Sequence, residues 1–173
     1  MRLYVMRHGP AEDRAPTGRD FDRKLTQAGR EIVERAARAL SLDRAPGATP
    51  LRVLASPFRR ARETAEIVTA YLAAGAPELH DDLGADADVP FSLIRDLHAA
   101  GADTLVIGHQ PIVEELVRGL VHPARPAHPA RPAHPDHPSI PAGFRTATIA
   151  VLERAVDDPW RLITVIDPHA VDR

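Results

Sequence analysis

The chain has 173 residues, a length that fits one domain with a buried core. Its net charge of −2 gives no general attraction to nucleic acid or to an anionic membrane, so a phosphate ligand would need a local cluster of positive charge. The absence of cysteine excludes disulfides, thiolate metal sites and a cysteine nucleophile.

No apolar stretch approaches the roughly 18 residues of a membrane helix. Arg2 and Arg7 interrupt the N-terminus where a signal peptide would be apolar. These two observations predict a cytoplasmic protein.

The first predicted element is a buried strand. The apolar run Leu3–Met6 ends at Arg7-His8-Gly9, a pattern typical of a strand that enters a turn. Pro10 to Lys24 is polar and predicts a surface loop. Thr26 is then expected to be the N-cap of a helix. The apolar residues of that helix keep helical spacing at Ile32, Val33, Ala36, Ala37 and Leu40.

A second strand and helix follow. Arg52–Ala55 predicts the strand, and Ser56 with Pro57 fits an N-cap followed by proline at the first helical position. The helix is expected to continue to Ala74. Glu78–His80 is a candidate short strand, and an acidic loop with Asp81, Asp82, Asp86 and Asp88 comes after it.

The rest of the chain continues the alternation of helices and strands. The helices are marked by Phe91, Ile94 and Leu97, and by the apolar spacing of Ile112–Leu120; the strands are Thr104–Ile107, Thr146–Leu152 and Arg161–Ile166. Strands that alternate with helices predict an α/β sandwich with a largely parallel central sheet.

Residues 122–141 have a different composition. The hexamer His-Pro-Ala-Arg-Pro-Ala occurs twice from His122 and then degenerates into His-Pro-Asp-His-Pro. Proline at this density disfavours helix and sheet interior, and two short polar copies are too few for a stacked solenoid. We expect an exposed, mobile loop inserted into a single domain that spans residues 1–173.

Three predicted strands end in ionisable residues. They are followed by Arg7-His8-Gly9, by Ser56-Pro57-Phe58-Arg59-Arg60-Ala61, and by Gly108-His109. In open α/β sheets, ligands bind beyond the carboxyl ends of the strands. Two histidines and at least two arginines would therefore converge there, which favours an anion with several equivalent oxygens such as phosphate.

The strand ends also suggest separate chemical roles. Arg7 and His8 can face one ligand only where regular strand stops, and Gly9 would permit a sharp turn there. Positive neighbours disfavour imidazolium, so Arg7 and Arg60 should keep His8 neutral and nucleophilic. Phosphoryl transfer then needs positioning and charge stabilisation, which two guanidinium groups and a protonated His109 would supply.

Taken together, these blocks resemble the histidine phosphatase superfamily. The opening Arg-His-Gly, the Ser-Pro-Phe-x-Arg-Ala block and the late Gly-His carry the resemblance. Arg23-Lys24-Leu25-Thr26 followed by Gly29 is similar to the Arg-x-Leu-Thr-x-x-Gly pattern of SixA-type phosphohistidine phosphatases in that superfamily. The resemblance covers nearly the whole chain except the insert, and it implies a phosphoglycerate-mutase-like, three-layer α/β/α sandwich.

The resemblance also implies roles for individual residues. His8 would be the phospho-acceptor, Arg7 and Arg60 would bind the phosphoryl oxygens, and His109 would stabilise the transition state and contact the substrate. Arg23 matches a position beside the pocket and is a candidate substrate-binding residue. Arg60 is chosen over its neighbour Arg59 because of the Arg-Ala register of the resemblance.

The resemblance also implies a place for the general acid. Relatives that act on phosphate monoesters use an Asp or Glu from the loop after the third strand. Asp82 lies closest to the matching place, and Asp86 and Asp88 are near it. The simpler interpretation is that all three belong to a solvated acidic loop.

Chain length bears on the substrate. The segment between Arg60 and His109 is nearly used up by one strand, one acidic loop and one helix. Phosphoglycerate-mutase-like relatives carry a larger insertion there, which covers the pocket over a small molecule. An open pocket favours a phosphoryl group on a protein surface, and a phosphohistidine can leave as neutral imidazole without a strong acid.

We therefore expect a phosphatase for protein phosphohistidine, on a carrier or signalling protein. A phosphatase for a small sugar or nucleotide phosphate remains an alternative, as does a phosphoprotein- or metal-binding module without turnover. The insert histidines His122, His128, His134 and His137 could bind zinc, copper or nickel, although incidental weak affinity is the simpler interpretation. No metal or other cofactor is expected to be required for catalysis.

Overall fold

The computed structural model describes residues 1–44, 48, 50–87, 93, 102–122, 143–155 and 158–170. Their elements are, in order, β1 (Arg2–Arg7), α1 (Gln27–Asp43), β2 (Arg52–Ala55), α2 (Arg59–Leu72), β3 (Glu78–Leu79), β4 (Thr104–Gly108), α3 (Ile112–Val121), β5 (Ile149–Glu153) and β6 (Arg161–Ile166). Two 3-10 turns, Asp20–Asp22 and Asp81–Leu83, lie in the connections before α1 and before β4.

The strands form one six-stranded sheet in the order β3-β2-β4-β1-β5-β6. Strands β1, β2, β3 and β4 pair in parallel, whereas β5 is antiparallel to both of its neighbours. Parallel neighbours need crossover connections, and helices supply them here. The predicted α/β class with a largely parallel central sheet is confirmed.

Helices cover both faces of this sheet. Successive residues of β1 point to opposite faces, so that Tyr4 and Met6 belong to one core and Leu3 and Val5 to the other. Helices α1 and α2 pack on the first core through Val33, Ala36, Leu40, Ala61, Ala65 and Val68. Helix α3 packs on the second through Val113, Leu116, Val117 and Leu120. The predicted three-layer sandwich is therefore also confirmed.

Both predicted ends of helix α2 are wrong. Helix α2 begins at Arg59 with Phe58 at the N-cap and no side-chain cap, so Ser56 does not cap it and Pro57 is not its first residue. Its last residue is Leu72, and Ala73 follows in a left-handed conformation that ends the helix before Ala74.

The strand predicted from Thr146 begins at Ile149 instead. Ala147 has a left-handed φ of 62°, and the Thr148 N–H donates to the Arg145 carbonyl, so residues 145–148 turn before the strand starts. The helix marked by Phe91, Ile94 and Leu97 and the insert after His122 lie outside the described residues.

Across the part of the chain that the structure describes, no helix is both long enough and apolar enough to cross a membrane.

The start of α1 holds the loop that leaves β1. The Thr26 hydroxyl accepts the Gly29 N–H at 2.9 Å, so the predicted N-cap is present. The Thr26 N–H donates to the Pro10 carbonyl at 3.1 Å. A Cβ added to Gly29 would overlap with the Pro10 carbonyl, because the chain after β1 passes directly over the first turn of α1.

Replacing Gly29 by Ala should destabilise the protein by about 1–3 kcal/mol, the range for overpacking at a tight contact. Gly119, inside α3, is the matched control because a Cβ there meets nothing within 4 Å. Gly119→Ala should stabilise by about 0.5–1 kcal/mol through helix propensity. Urea unfolding of both variants measures this, and equal effects of one sign would contradict the close approach at Gly29.

Candidate active site

The register of β1 with β4 brings the two candidate histidines to the same edge of the sheet. Arg7 lies opposite Gly108 in the parallel pair, and each is followed by a histidine. The His8 N–H donates to the Gly108 carbonyl at 3.0 Å, which extends the ladder by one bond. The rings of His8 and His109 lie 4.9 Å apart between centroids.

The chain that leaves strand β2 brings Arg60 to the same edge. Ala55 pairs with Ile107, and the Ser56 N–H donates to the Ile107 carbonyl at 2.9 Å. The chain then enters α2, whose first turn carries Arg60. Its guanidinium Nε lies 3.2 Å from His8 Nε2, so residues 52 positions apart are in contact. The structure thus brings together His8, Arg60 and His109.

The hydrogen bonds of His8 define its tautomer. Nδ1 lies 2.7 Å from the Gly9 carbonyl, which only accepts, so Nδ1 carries the proton. Nε2 accepts from the Arg60 Nε–H, so its lone pair faces the guanidinium group. Burial first, and then the charges of Arg60 and Arg7, lower the pKa of His8 to about 4, although the hydrogen bond to the Gly9 carbonyl opposes them. The ring is therefore neutral at pH 7, as predicted, but burial is a larger cause than the arginines.

Gly9 is required for close packing rather than for a sharp turn. Its φ is not positive, whereas a Cβ at this position would overlap with the Val33 side chain. The Gly9 N–H donates to Thr64 Oγ1 at 3.1 Å, and that hydroxyl donates to the Arg60 carbonyl at 2.7 Å. The buried Thr64 therefore ties the His8 turn to the helical turn that holds Arg60.

His109 is almost fully buried, with 2% of its surface exposed. Its Nε2 lies 2.8 Å from Ser56 Oγ, and its ring packs against the Phe58 ring in a T-shaped arrangement with the centroids 4.9 Å apart. Burial, then the neighbouring His8 and Arg60, lowers the pKa of His109 to about 3. The ligand-free ring is therefore neutral, and the protonated His109 expected during phosphoryl transfer stays a prediction.

Arg7 reaches the same region from the end of β1. Its Nη1 donates to the Phe144 carbonyl at 2.6 Å. Its Nε is buried without a hydrogen-bond partner among the described residues, as is Nδ1 of His109. Burial and the charge of Arg60 lower the pKa of Arg7, but a guanidinium group remains protonated. Buried polar atoms without partners are costly, and an anion bound here would satisfy them.

Arg60 and Arg23 share one carboxylate. Asp20 accepts from Arg60 Nη2 at 2.9 Å and from Arg23 Nη1 at 2.7 Å, and its main-chain carbonyl accepts from Arg60 Nη1 at 2.8 Å. Partial burial raises the pKa of Asp20, but the two arginine hydrogen bonds outweigh it, so the pKa lies below its usual value. Arg23 also donates through Nε to the Glu12 carbonyl, and this second contact orients its side chain beside Asp20.

The predicted general acid is not in contact with this cluster. Asp82 is exposed on the 3-10 turn after β3 and forms no hydrogen bond or ion pair within the described chain. Asp86 is the acidic residue of this loop whose charge acts on Arg60. Asp88 lies outside the described residues, as do the insert histidines His128, His134 and His137. The role of Asp82 stays a prediction.

No group of three or more His, Asp or Glu side chains that could hold a metal ion occurs in the described ranges. His122, the insert histidine inside those ranges, is exposed at the end of α3.

Three contributors to the site were missed from the sequence: Asp20, Thr64 and Glu63. Glu63 is buried and accepts from Arg30, from Arg59 and from the Leu25 N–H, so it fastens the loop that carries Arg23 to α2. The sequence signal for Asp20 was its position three residues before Arg23. The signal for Glu63 was its spacing of four residues from Arg59 in a helix.

The cluster combines fixed cationic donors with a neutral imidazole. Arg7, Arg23 and Arg60 can bind the oxygens of a tetrahedral anion. His8 Nε2 offers an unprotonated lone pair among those donors. Such an arrangement can hold an oxyanion group and attack its central atom.

Comparison with known proteins finds a family model, a sequence relative and several solved structures that match this chain. The family model of the histidine phosphatase superfamily (branch 1) matches residues 3–84. An uncharacterized protein of Picosynechococcus sp. is 35% identical over 118 residues, which are 66% of this chain and 70% of that protein. The structure of the protein histidine phosphatase SixA complexed with tungstate superposes with a TM-score of 0.79 and 28% identity, over 99% of this chain and 100% of that chain.

SixA from Agrobacterium tumefaciens has a similar structure, with a TM-score of 0.70 and 27% identity over 95% of this chain and 97% of that one. The family-model match includes the segments that carry His8, Arg23 and Arg60. The chain therefore belongs to the histidine phosphatase superfamily, with the fold predicted for it, and is a phosphatase.

Proposed function

We propose that this phosphatase removes the phosphoryl group from phosphohistidine on a protein, through a phosphohistidine formed at its own His8. The state of His8 carries the proposal. Its Nδ1 proton is held by the Gly9 carbonyl, and its Nε2 lone pair faces Arg60 at 3.2 Å. A neutral imidazole whose unprotonated nitrogen lies beside guanidinium donors is a nucleophile placed next to the groups that would bind a phosphoryl group.

In the first half-reaction, the phosphoryl group replaces the Asp20 carboxylate on Arg60 and Arg23. Its oxygens accept hydrogen bonds from these arginines and from Arg7. The hydrogen bond from Arg60 Nε to His8 Nε2 breaks, and the freed lone pair of Nε2 forms a bond to phosphorus while the bond from phosphorus to the substrate nitrogen breaks. The leaving nitrogen keeps the electron pair, and the substrate imidazole ends neutral because it has taken a proton from solvent.

In the second half-reaction, water attacks the phosphorus of phosphorylated His8. The bond from phosphorus to Nε2 breaks, and the electron pair returns to Nε2. The water loses a proton to solvent, and inorganic phosphate leaves. Arg7 and Arg60 stabilise the charge on the oxygens in both steps, so the scheme uses no metal ion.

The carboxylate in contact with the cluster favours phosphohistidine as the substrate. Asp20 is kept ionised by Arg60 and Arg23, with a lowered pKa, so it is a poor proton donor. An alkoxide leaving group needs a strong acid, whereas a phosphohistidine ring can be protonated before it leaves. The similarity to SixA, a protein histidine phosphatase, supports this substrate class.

The partner in this scheme is a phosphohistidine carrier or signalling protein. A cytoplasmic location, which we predict from the sequence, would place the enzyme beside such proteins. A small phosphorylated molecule is the alternative substrate, and direct comparison separates the two.

With chelator present, hydrolysis of a phosphohistidine peptide should exceed that of a phosphoserine peptide and of sugar and nucleotide monophosphates. The expected difference in kcat/KM is at least about 10²-fold, the scale of a missing general acid. His8→Ala is the blank for each substrate. Faster hydrolysis of a phosphomonoester would favour the small-molecule alternative, and no turnover of any substrate would favour a binding module.

Arg60→Ala should lower kcat by roughly 10²–10³-fold, the scale of one lost preorganised donor. Its neighbour Arg59 is the matched control, because its half-exposed side chain pairs with Glu63 at 2.8 Å rather than with His8, and Glu63 keeps its bonds from Arg30 and the Leu25 N–H when Arg59 is lost. Arg59→Ala should stay within a few-fold of wild type. Steady-state kinetics on the phosphohistidine peptide measure both variants, and the reverse order of effects would show that the assignment of Arg60 is wrong.

A further inference from the structure

Ser56 does not serve the purpose that its sequence position indicates. It lies between β2 and α2, where a serine would normally cap the helix, yet the N-cap residue is Phe58 and no side chain caps it. Ser56 is fully buried. Its hydroxyl accepts the Phe58 N–H at 3.3 Å and lies 2.8 Å from His109 Nε2.

Hydrogen-bond accounting decides the direction of the contact with His109. A serine hydroxyl has one proton and two lone pairs, and the Phe58 N–H uses one lone pair. If His109 Nε2–H were the donor, the Ser56 proton would need another acceptor, and the described residues provide none. A buried hydroxyl proton without a partner costs about 1–3 kcal/mol. The hydroxyl therefore donates to Nε2.

This direction fixes the tautomer of His109. A neutral imidazole carries one proton, and Nε2 is occupied as an acceptor, so the proton resides on Nδ1. Nδ1 is also the buried atom of this ring that has no partner within the described chain. The low pKa of His109, caused mainly by burial, means that the ring has no second proton to donate before a ligand arrives.

We propose that Ser56 is a positioning residue for phosphoryl transfer: its hydroxyl holds His109 in the tautomer whose Nδ1–H is donated to the phosphoryl group. The proposal rests on the proposed function for the role of His109 as a phosphoryl donor. The tautomer itself is a property of the ligand-free protein.

The tautomer is measured by long-range ¹H–¹⁵N NMR of the ligand-free, histidine-labelled protein at neutral pH, with His109→Gln used for assignment. Two other rings serve as internal references. His8 donates through Nδ1 to the Gly9 carbonyl, whereas His169 donates through Nε2 to the Thr146 carbonyl at 2.9 Å. We expect the ¹H–¹⁵N pattern of His109 to match that of His8, with the proton on Nδ1. A His109 signal that matches His169 would overturn the proposal, whatever the enzyme hydrolyses.

Ser56→Ala should mix or invert the His109 tautomer and lower kcat by roughly 10–100-fold, the scale found when an outer partner of a functional histidine is lost. Ser56→Thr restores the hydroxyl and should recover both. Thr69→Val is the control, since it removes a hydroxyl that donates to the Glu66 carbonyl within α2, far along the helix from the site. An unchanged tautomer and kcat in Ser56→Ala would overturn the proposal. Failure of the wild type to hydrolyse phosphohistidine would refute the proposed function and leave the tautomer result standing.

Discussion

Parallel pairing of β4 with both β1 and β2 is the constraint on which the site depends. Arg7 pairs with Gly108 and Ala55 with Ile107, so the residues that follow leave three neighbouring strands at one edge. A slip of one residue in either pair would turn the core side chains of a strand to the opposite face. Since β1 and β4 are buried on both sides, the two hydrophobic cores hold the register that brings His8 and His109 together.

Charge balance at this edge depends on Asp20. Without a ligand, Arg60 and Arg23 share its carboxylate, which is half exposed at 53%. Arg60 and Arg23 are thus held in place without an uncompensated buried charge. In the proposed reaction, a phosphoryl group would replace the Asp20 carboxylate on them. Because the guanidinium groups already lie together, phosphate binding would exchange their hydrogen-bond partners without having to bring the donors together. Within the described part of the chain, the buried atoms Arg7 Nε and His109 Nδ1 have no hydrogen-bond partner.

Much of this arrangement could be predicted from the sequence because it follows from local periodicity and from the polarity of parallel strands. Those rules predict the exact bounds of β2 and β6. They also predict the edge of the sheet at which His8, Arg60 and His109 meet. Contacts that depend on tertiary folding could not be predicted. Asp20 contacts Arg60, 40 residues away in the sequence, and Ser56 contacts His109, 53 residues away. Capping rules relate a residue only to the next helical turn, so they do not predict such contacts. The ligand-free His109 is neutral mainly because it is buried. A sequence motif does not show how deeply a side chain is buried, so this state could not be predicted.

The central claim is that His8 carries the phosphoryl group during turnover. The most direct measurement is rapid acid-free quenching of enzyme mixed with ³²P-labelled phosphohistidine peptide, followed by ³¹P NMR and peptide mapping of the labelled protein. The account predicts one acid-labile, alkali-stable phosphoryl group on Nε2 of His8, and its loss in His8→Ala together with turnover. A phosphoryl group on another residue, or appreciable turnover by His8→Ala, would contradict the account.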